Sequence, residues 1–169
     1  MEGPNSDIVA IPFGEDGESQ AIVATPAAEG LGGISVSPDG RWLAYWADPT
    51  GRAEIWVRPL SGPGAAVRVS ADGGSEPIWS RDGRRLFYRA GADVWTTDVD
   101  PTSVDFSFTP PVLLFSGNYV RGEFLQPPNY DVAPDGRFLM LKWLDGGDPG
   151  ELPLMVLTNW MAELERAAP

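Results

Sequence analysis

The chain repeats one eleven-residue pattern, and this repeat limits its fold more than any other feature. The copies read SPDGRWLAYWA at 37–47, SRDGRRLFYRA at 80–90 and APDGRFLMLKW at 133–143. Each copy has Asp, Gly, Arg and Leu at the same offsets. The first two copies lie 43 residues apart and the last two 53 apart, so the second unit holds about ten additional residues. A period of this size indicates an architecture of repeated supersecondary units.

Each copy predicts a β-hairpin. Its Asp-Gly lies between alternating apolar runs, where Asp can bond to backbone two residues on and Gly accepts a positive φ. We therefore interpret Asp39, Asp82 and Asp135 as turn residues and not as metal ligands. The alternation after each turn predicts a strand with one face that is apolar in every copy and an opposite face that is mixed. The apolar face consists of Leu43, Tyr45, Ala47, Leu86, Tyr88, Ala90, Leu139, Leu141 and Trp143.

Further strands are predicted on either side of each copy. They cover 33–37, 53–60, 65–71, 76–80, 92–99, 110–117, 129–133 and 152–159, and two more precede the first copy at 7–13 and 20–26. Four short antiparallel strands every 40 to 50 residues are typical of a β-propeller blade. We expect an all-β partial propeller of about three four-stranded blades, as a single domain over 1–169. Its repeat units would be 7–29 (partial), 30–74, 75–118 and 127–160 (partial).

SPDGRWLAYWA followed by AEIWVRPL, and SRDGRRLFYRA followed by ADVWTTDV, resemble the TolB-type, WD-repeat-like propeller family across residues 7–160. The end of the chain, VLTNWMAELERAAP at 156–169, is similar to the end of propeller domains of bacterial serine/threonine protein kinases. It predicts a short C-terminal helix with Asn159 as its N-cap. The resemblance is compatible with a sensor module of a larger bacterial protein, in a periplasmic or other extracytoplasmic position.

The predicted strands do not fill a ring. Thirteen strands at four per blade give three blades with one strand over, whereas closed propellers have four to eight blades. We therefore expect two copies to associate into a homodimer with six or seven blades, in which the N-terminal strands of one copy complete the last blade of the other. The segments 7–13 and 152–159 both fit the third place in that blade. The alternative is a truncated or designed self-assembling fragment.

Composition excludes several classes of function. The chain has 24 acidic and 12 basic residues and neither His nor Cys. A cysteine nucleophile, a Ser-His-Asp triad and the usual zinc ligands are therefore absent from it. The negative field disfavours nucleic acid and anionic lipid, and no apolar run reaches the roughly 18 residues of a membrane span. The absence of Cys leaves the compartment open.

We expect a non-catalytic scaffold without cofactor or metal, which binds a protein or peptide and a second copy of itself. The candidate binding residues are Tyr119, Arg121 and Phe124 in GNYVRGEFLQPPN, 117–129, because these residue types are favoured in recognition hot spots. The alternative is the substrate-gating part of a peptidase, or a glycosidase that uses paired carboxylates. We interpret the acidic segments 98–105 and 144–151 as solvated loops and most of the seven Trp residues as core.

Overall fold

The structure is a computed structural model that describes residues 6–13, 18–49, 51–120 and 128–142. These residues form antiparallel sheets, two with four strands and two with two. The strands are β1 Ile8–Ala10, β2 Gln20–Val23, β3 Ala28–Val36, β4 Trp42–Asp48, β5 Glu54–Pro59, β6 Val67–Arg68, β7 Ser75–Trp79, β8 Arg85–Ala90, β9 Asp93–Asp98, β10 Val112–Ser116, β11 Tyr130–Val132 and β12 Phe138–Met140.

The sheets follow one another along the chain as propeller blades do. We call β3–β6 the first blade, β7–β10 the second blade, β1–β2 the N-terminal pair and β11–β12 the third hairpin. In each blade the strands are ordered as in the chain, and β7 packs against β3, β4 and β5 of the blade before it. β3 and β7 are therefore the inner strands of neighbouring blades. The partial β-propeller predicted from the sequence is confirmed.

A continuous apolar core joins the first blade to the second. It consists of Trp42, Ala44, Ile55, Val57 and Val69 from the first blade and Trp79, Leu86, Tyr88 and Val99 from the second. Phe106, from the long loop 99–111, covers one end of this core, with its ring 5.3 Å from that of Trp42 and 6.3 Å from that of Trp79. Each large side chain buried in this way contributes about 1.5–3 kcal/mol, so the second blade stabilises the first.

The N-terminal pair covers part of the other face of the first blade. Ile8 and Val23 are buried there against Leu43, Tyr45 and Ala47 of β4. This is the face that the repeat predicts to be apolar. A guanidinium nitrogen of Arg58 in β5 also donates to the carbonyl oxygen of Ile22, at 2.5 Å.

Each of the first two repeat turns follows a serine whose hydrogen bonds bracket the turn. The Ser37 hydroxyl accepts from the Trp42 backbone N–H at 2.9 Å and donates to Asp39 Oδ1 at 2.6 Å. The Ser80 hydroxyl makes the same two bonds to Arg85 and Asp82. Each aspartate in turn accepts from the backbone N–H two residues on, as the sequence predicts. The serine N–H donates to the carbonyl oxygen five residues later, so four residues lie in each turn.

The third hairpin corrects the predicted strand face. Ala133 stands where the other copies have serine, and its N–H donates to the carbonyl oxygen of Arg137, only four residues later. The turn is one residue shorter, and Ala133 has no hydroxyl that could bond the N–H of Phe138. A shift of one residue exchanges the two faces of a strand. Leu139 and Leu141 are therefore 62 % and 56 % exposed, on the side away from the second blade.

Phe138 and Met140 lie on the face of β12 that was predicted to be mixed, and this face is the one towards the second blade. Phe138 contacts Phe87 of β8 with ring centroids 5.0 Å apart, and Tyr130, Val132 and Met140 complete this cluster. The third hairpin thus packs on the second blade with the face opposite to the one that the repeat indicates.

The inner strands contain a bulge that sequence patterns did not indicate. β3 begins at Ala28 and not at residue 33, and its register with β4 shifts between Glu29 and Ile34. β7 has the corresponding shift between Ser75 and Ile78. Gly33 takes a φ of 110° at this position and Glu76 a φ of 55°, which is costly for a residue with a side chain.

Several predictions fall on residues that the structure does not describe. They are the strand at 152–159, the acidic loop 144–151, Trp143 and the helix after Asn159. In the ranges that are described, no helix is long and apolar enough to cross a membrane.

Candidate functional site

The two ends of the blades form two different rims. We call the connection rim the end where one blade passes to the next, at 69–74, 117–120 and 128–129, together with residues 49, 51–53 and 91–92. We call the turn rim the opposite end, with the repeat turns and the loops 60–66 and 99–111. Binding sites of rigid scaffolds lie mainly on such loops. Of the sequence-predicted binding residues, Tyr119 is described, and it belongs to the connection rim.

Tyr119 is half-buried and fixed in place. Its ring lies over Gly117, where a Cβ would come within 2.3 Å of the ring, and its edge meets Phe115 with centroids 6.1 Å apart. The Tyr119 N–H donates to the carbonyl oxygen of Gly117 at 3.0 Å. The structure therefore presents one predicted binding residue as an oriented aromatic, while Arg121 and Phe124 lie outside the described residues.

A buried arginine anchors the chain beside Tyr119. Arg89 Nη1 donates to the carbonyl oxygen of Val120 at 2.6 Å, and Nη2 to that of Tyr119 at 3.4 Å. The Val120 N–H donates to the carbonyl oxygen of Leu141 at 2.9 Å. This connection is thus attached to both the second blade and the third hairpin, and its backbone is preorganised.

The same arginine forms a buried ion pair with Glu76. Arg89 Nη1 lies 3.9 Å from Glu76 Oε2, and the two side chains are only 1 % and 3 % exposed. Glu76 Oε2 accepts from the Asn129 N–H at 3.0 Å, and the Glu76 carbonyl oxygen accepts from the Tyr130 hydroxyl at 2.8 Å. Burial raises the pKa of Tyr130 well above its ordinary value, and the negative charge of Glu76 adds to this. Glu76 therefore joins the second blade to the third hairpin.

A second buried carboxylate, Glu54, organises the connection between the first two blades. It accepts from the Ser70 hydroxyl and from the Gly73 N–H, the latter at 3.0 Å. Arg52 and Arg68 lie 3.7 and 4.0 Å from its other oxygen. Burial raises the pKa of the neighbouring Tyr88 to about 12, with smaller contributions from the charges of Glu54 and Asp72.

The turn rim is fixed by Arg41. Its guanidinium lies 5.4 Å from the ring centroid of Trp42 and donates to the carbonyl oxygens of Pro101, Ser103 and Val104, at 3.0, 2.6 and 3.2 Å. The additional residues of the second unit thus fold back onto the first blade. Sequence patterns indicated a loop here but did not indicate what it contacts.

The acidic loop 98–105 makes turn and surface contacts. Asp100 Oδ1 accepts from the backbone and the hydroxyl of Thr102, at 2.9 and 2.6 Å. Asp98 lies 3.2 Å from Arg85 at the surface. Across the described part of the chain, no three carboxylates come together as a metal site would require.

Sequence reasoning missed Glu54, Glu76, Arg41 and Arg89. Their side-chain hydrogen bonds described above reach residues 16 to 63 positions away in the chain, and the ion pair of Arg89 with Glu76 spans 13 positions, so no short pattern connects them. A weak signal was available for Arg89, because this charged residue follows three apolar residues within β8, and strand interiors seldom contain unpaired charge.

Among solved structures, the chain resembles TolB from Acinetobacter baumannii, with a TM-score of 0.50 and 22 % sequence identity. The similarity covers 78 % of this chain and 31 % of the TolB chain, so this chain spans about a third of the length of that protein. No protein-family model and no curated protein matches the sequence. At this identity the likeness concerns the fold alone, which is a TolB-like β-propeller fold.

Proposed function

We propose that the chain is a non-catalytic β-propeller scaffold that associates with a second copy of itself and binds a protein or peptide at the connection rim. The observation that carries this proposal is the apolar surface at both ends of the blade row. The exposed residues are Val9, Ile11 and Phe13 at the N-terminal pair and Leu139 and Leu141 at the third hairpin. Soluble monomers seldom leave such patches uncovered, and a partner subunit would bury both.

Light scattering on the full chain tests self-association. We expect a mass of about twice the 18.2 kDa of one chain at micromolar concentration. A mass of one chain that persists as concentration rises would overturn this part of the proposal.

Tyr119 supports the second part, which is binding at the connection rim. Its ring is already oriented by Gly117 and Phe115, so little side-chain entropy is lost when a partner contacts it. Asp93 lies beside this connection, since the Gly117 N–H donates to the carbonyl oxygen of Ala92 at 3.1 Å. The acidic excess of the whole chain, with 24 acidic and 12 basic residues, favours a partner segment with basic residues.

Selection from a displayed peptide library on the immobilised full chain tests this binding. We expect recovered peptides to contain basic residues, and Tyr119→Ala to weaken their binding at least about tenfold, as loss of a hot-spot aromatic does. Val104→Ala on the turn rim is the matched control, because that side chain is 86 % exposed and far from the connection rim. Equal loss in both variants, or no loss in Tyr119→Ala, would contradict the proposed site.

We further propose that the module is the sensing part of a larger bacterial protein. The similarity of residues 156–169 to the end of kinase-associated propellers supports this. A kinase domain and a membrane span encoded before this segment would agree with sensing, and a hydrolase domain after it would contradict it.

A further inference from the structure

We infer that a second copy of this chain supplies the two inner strands of the blade to which β1 and β2 belong. In this composite blade, β11 and β12 of the second copy lie inside β1 and β2 of the first, in the order β11-β12-β1-β2. The inference rests on the proposed self-association and specifies its geometry.

The N-terminal pair has the position of the outer half of a blade. Ser6, just before β1, bridges to Ala28 at the start of β3. In the same way Ala53, just before β5, accepts from the Gly74 N–H at 2.9 Å, just before β7. β1 is therefore placed relative to β3 as β5 is placed relative to β7. Because β5 is the third strand of its blade, β1 has the position of a third strand.

The burial pattern of the N-terminal pair agrees with this position. Ile8 follows an aspartate as Ile55 follows a glutamate, and both isoleucines are buried. Each lies beside a buried valine of the next strand, Val23 in one case and Val69 in the other. β1 and β2 thus correspond to β5 and β6, and the strands that would correspond to β3 and β4 do not precede them in the described chain.

Among the described residues, no inner half accompanies the N-terminal pair, and part of the first blade is uncovered. On the face towards the N-terminal pair, Leu43 and Tyr45 of β4 are buried, whereas Ile34 and Val36 of the inner strand β3 are 52 % and 47 % exposed. The residue of the second blade that corresponds to Val36 is Trp79, which is only 6 % exposed in a core that it shares with Trp42 and Ala44 of β4 and with Phe106. Among the described residues, no inner pair covers Val36 as β4 and its neighbours cover Trp79.

The third hairpin has the required shape and chemistry. By the repeat, β11 and β12 correspond to β7 and β8, the inner strands of the second blade. Asp131 corresponds to Ser35 in the repeat. Leu139 pairs with Asp131 and Ala44 pairs with Ser35, so Leu139 has the position in its hairpin that Ala44 has in the first blade. Since Ala44 packs with Trp79, Leu139 of the second copy would pack on Val36 of the first.

A two-fold axis covers both ends at once. The described residues of each copy form two complete blades, one inner half and one outer half, so these residues of two copies would form six blades, within the range of closed propellers. The two junctions are identical, as closed two-fold symmetry requires. Residues 143–169 of the same chain are the competing occupant, and cross-linking between two chains distinguishes them from a second copy.

Single cysteines test the composite blade, since the chain has no Cys. Val36→Cys and Leu139→Cys are purified as separate full-length chains, mixed, allowed to exchange and oxidised. We expect a disulfide-linked dimer in the mixture and in neither variant alone, because only this pairing brings one of each together. Val36→Cys mixed with Val112→Cys on the outer strand β10 is the matched control and should not cross-link.

A second pair of variants measures the contribution of the junction. Leu139→Asp should give the mass of one chain in light scattering, whereas Leu113→Asp, at an exposed position of β10, should keep the dimer mass. A dimer in which Val36 and Leu139 do not cross-link would overturn the composite blade while leaving self-association in place. A wild-type chain that stays monomeric would overturn both.

Discussion

Val132 lies opposite Phe138 across the third hairpin. In the second blade the corresponding residue, Trp79, lies opposite Leu86, which is one repeat position later than Phe138. The two hairpins differ at the first residue of the turn, which is Ala133 in one and Ser80 in the other. The lack of one hydroxyl group thus coincides with a shift in register that turns the other face of β12 towards the second blade.

Ala133→Ser should lengthen this turn. The new hydroxyl could accept from the Phe138 N–H and donate to Asp135, as Ser80 does with Arg85 and Asp82. We expect Val132 to pair with Leu139 in the variant, and dimer formation to weaken because Leu139 turns inward. Cross-strand NMR contacts report the pairing and light scattering reports the mass. If Val132 still pairs with Phe138, the serine does not determine the register.

Loss of the Arg89 guanidinium should destabilise the domain strongly. Arg89→Met removes the guanidinium that pairs with the buried Glu76 carboxylate, and loss of one partner of a buried ion pair costs about 3–5 kcal/mol. Denaturant unfolding measures the loss. The control is Arg85→Met, which removes an ion pair to Asp98 with side chains 59 % and 67 % exposed and should cost at most about 1 kcal/mol. Similar losses in both variants would contradict the structural role of the buried pair.

Tyrosine ionisation should destabilise the fold only at high pH. Burial raises the pKa of Tyr88 to about 12, against an ordinary value of about 10. The neutral form is favoured in the folded state, so this contribution to stability is complete below about pH 10 and is lost as pH rises towards 12. Burial also raises the pKa of Tyr45 and Tyr130.

Absorbance at alkaline pH follows this ionisation. We expect the phenolate signal that Tyr88→Phe removes to develop near pH 12 in the wild type. If this signal instead develops near pH 10 in a chain that is still folded, Tyr88 is solvated.

Phe106 should be the residue through which the loop 99–111 stabilises the blades. Phe106→Ala removes contacts with the rings of Trp42, Trp79 and Phe108. We expect a loss of about 3 kcal/mol in the free energy of unfolding, the lower end for truncation of a packed aromatic, since the ring is only partly buried. Val104→Ala in the same loop should change it by less than about 0.5 kcal/mol. An equal change in both would mean that the loop lies loosely on the surface.

The sequence predicted what depends on local chemistry. The Asp-Gly turns and the strands beside them follow from bonds within two to five residues, as at Ser37 and Asp39. The bulge at Glu76 and the ion pair between Glu76 and Arg89 depend on packing between distant segments, so no short sequence pattern predicts them. The third hairpin shows the limit most clearly, because its apolar pattern suits either face and its turn is one residue shorter than in the other two copies.

Arg41 holds the loop 99–111 only by main-chain oxygens. Every residue type offers such an oxygen, so substitutions at outward positions such as Val104 and Asp105 leave this attachment intact. Across evolution the loop can therefore acquire new surface chemistry while its path over the first blade stays the same, which makes it the part of the turn rim most open to specialisation.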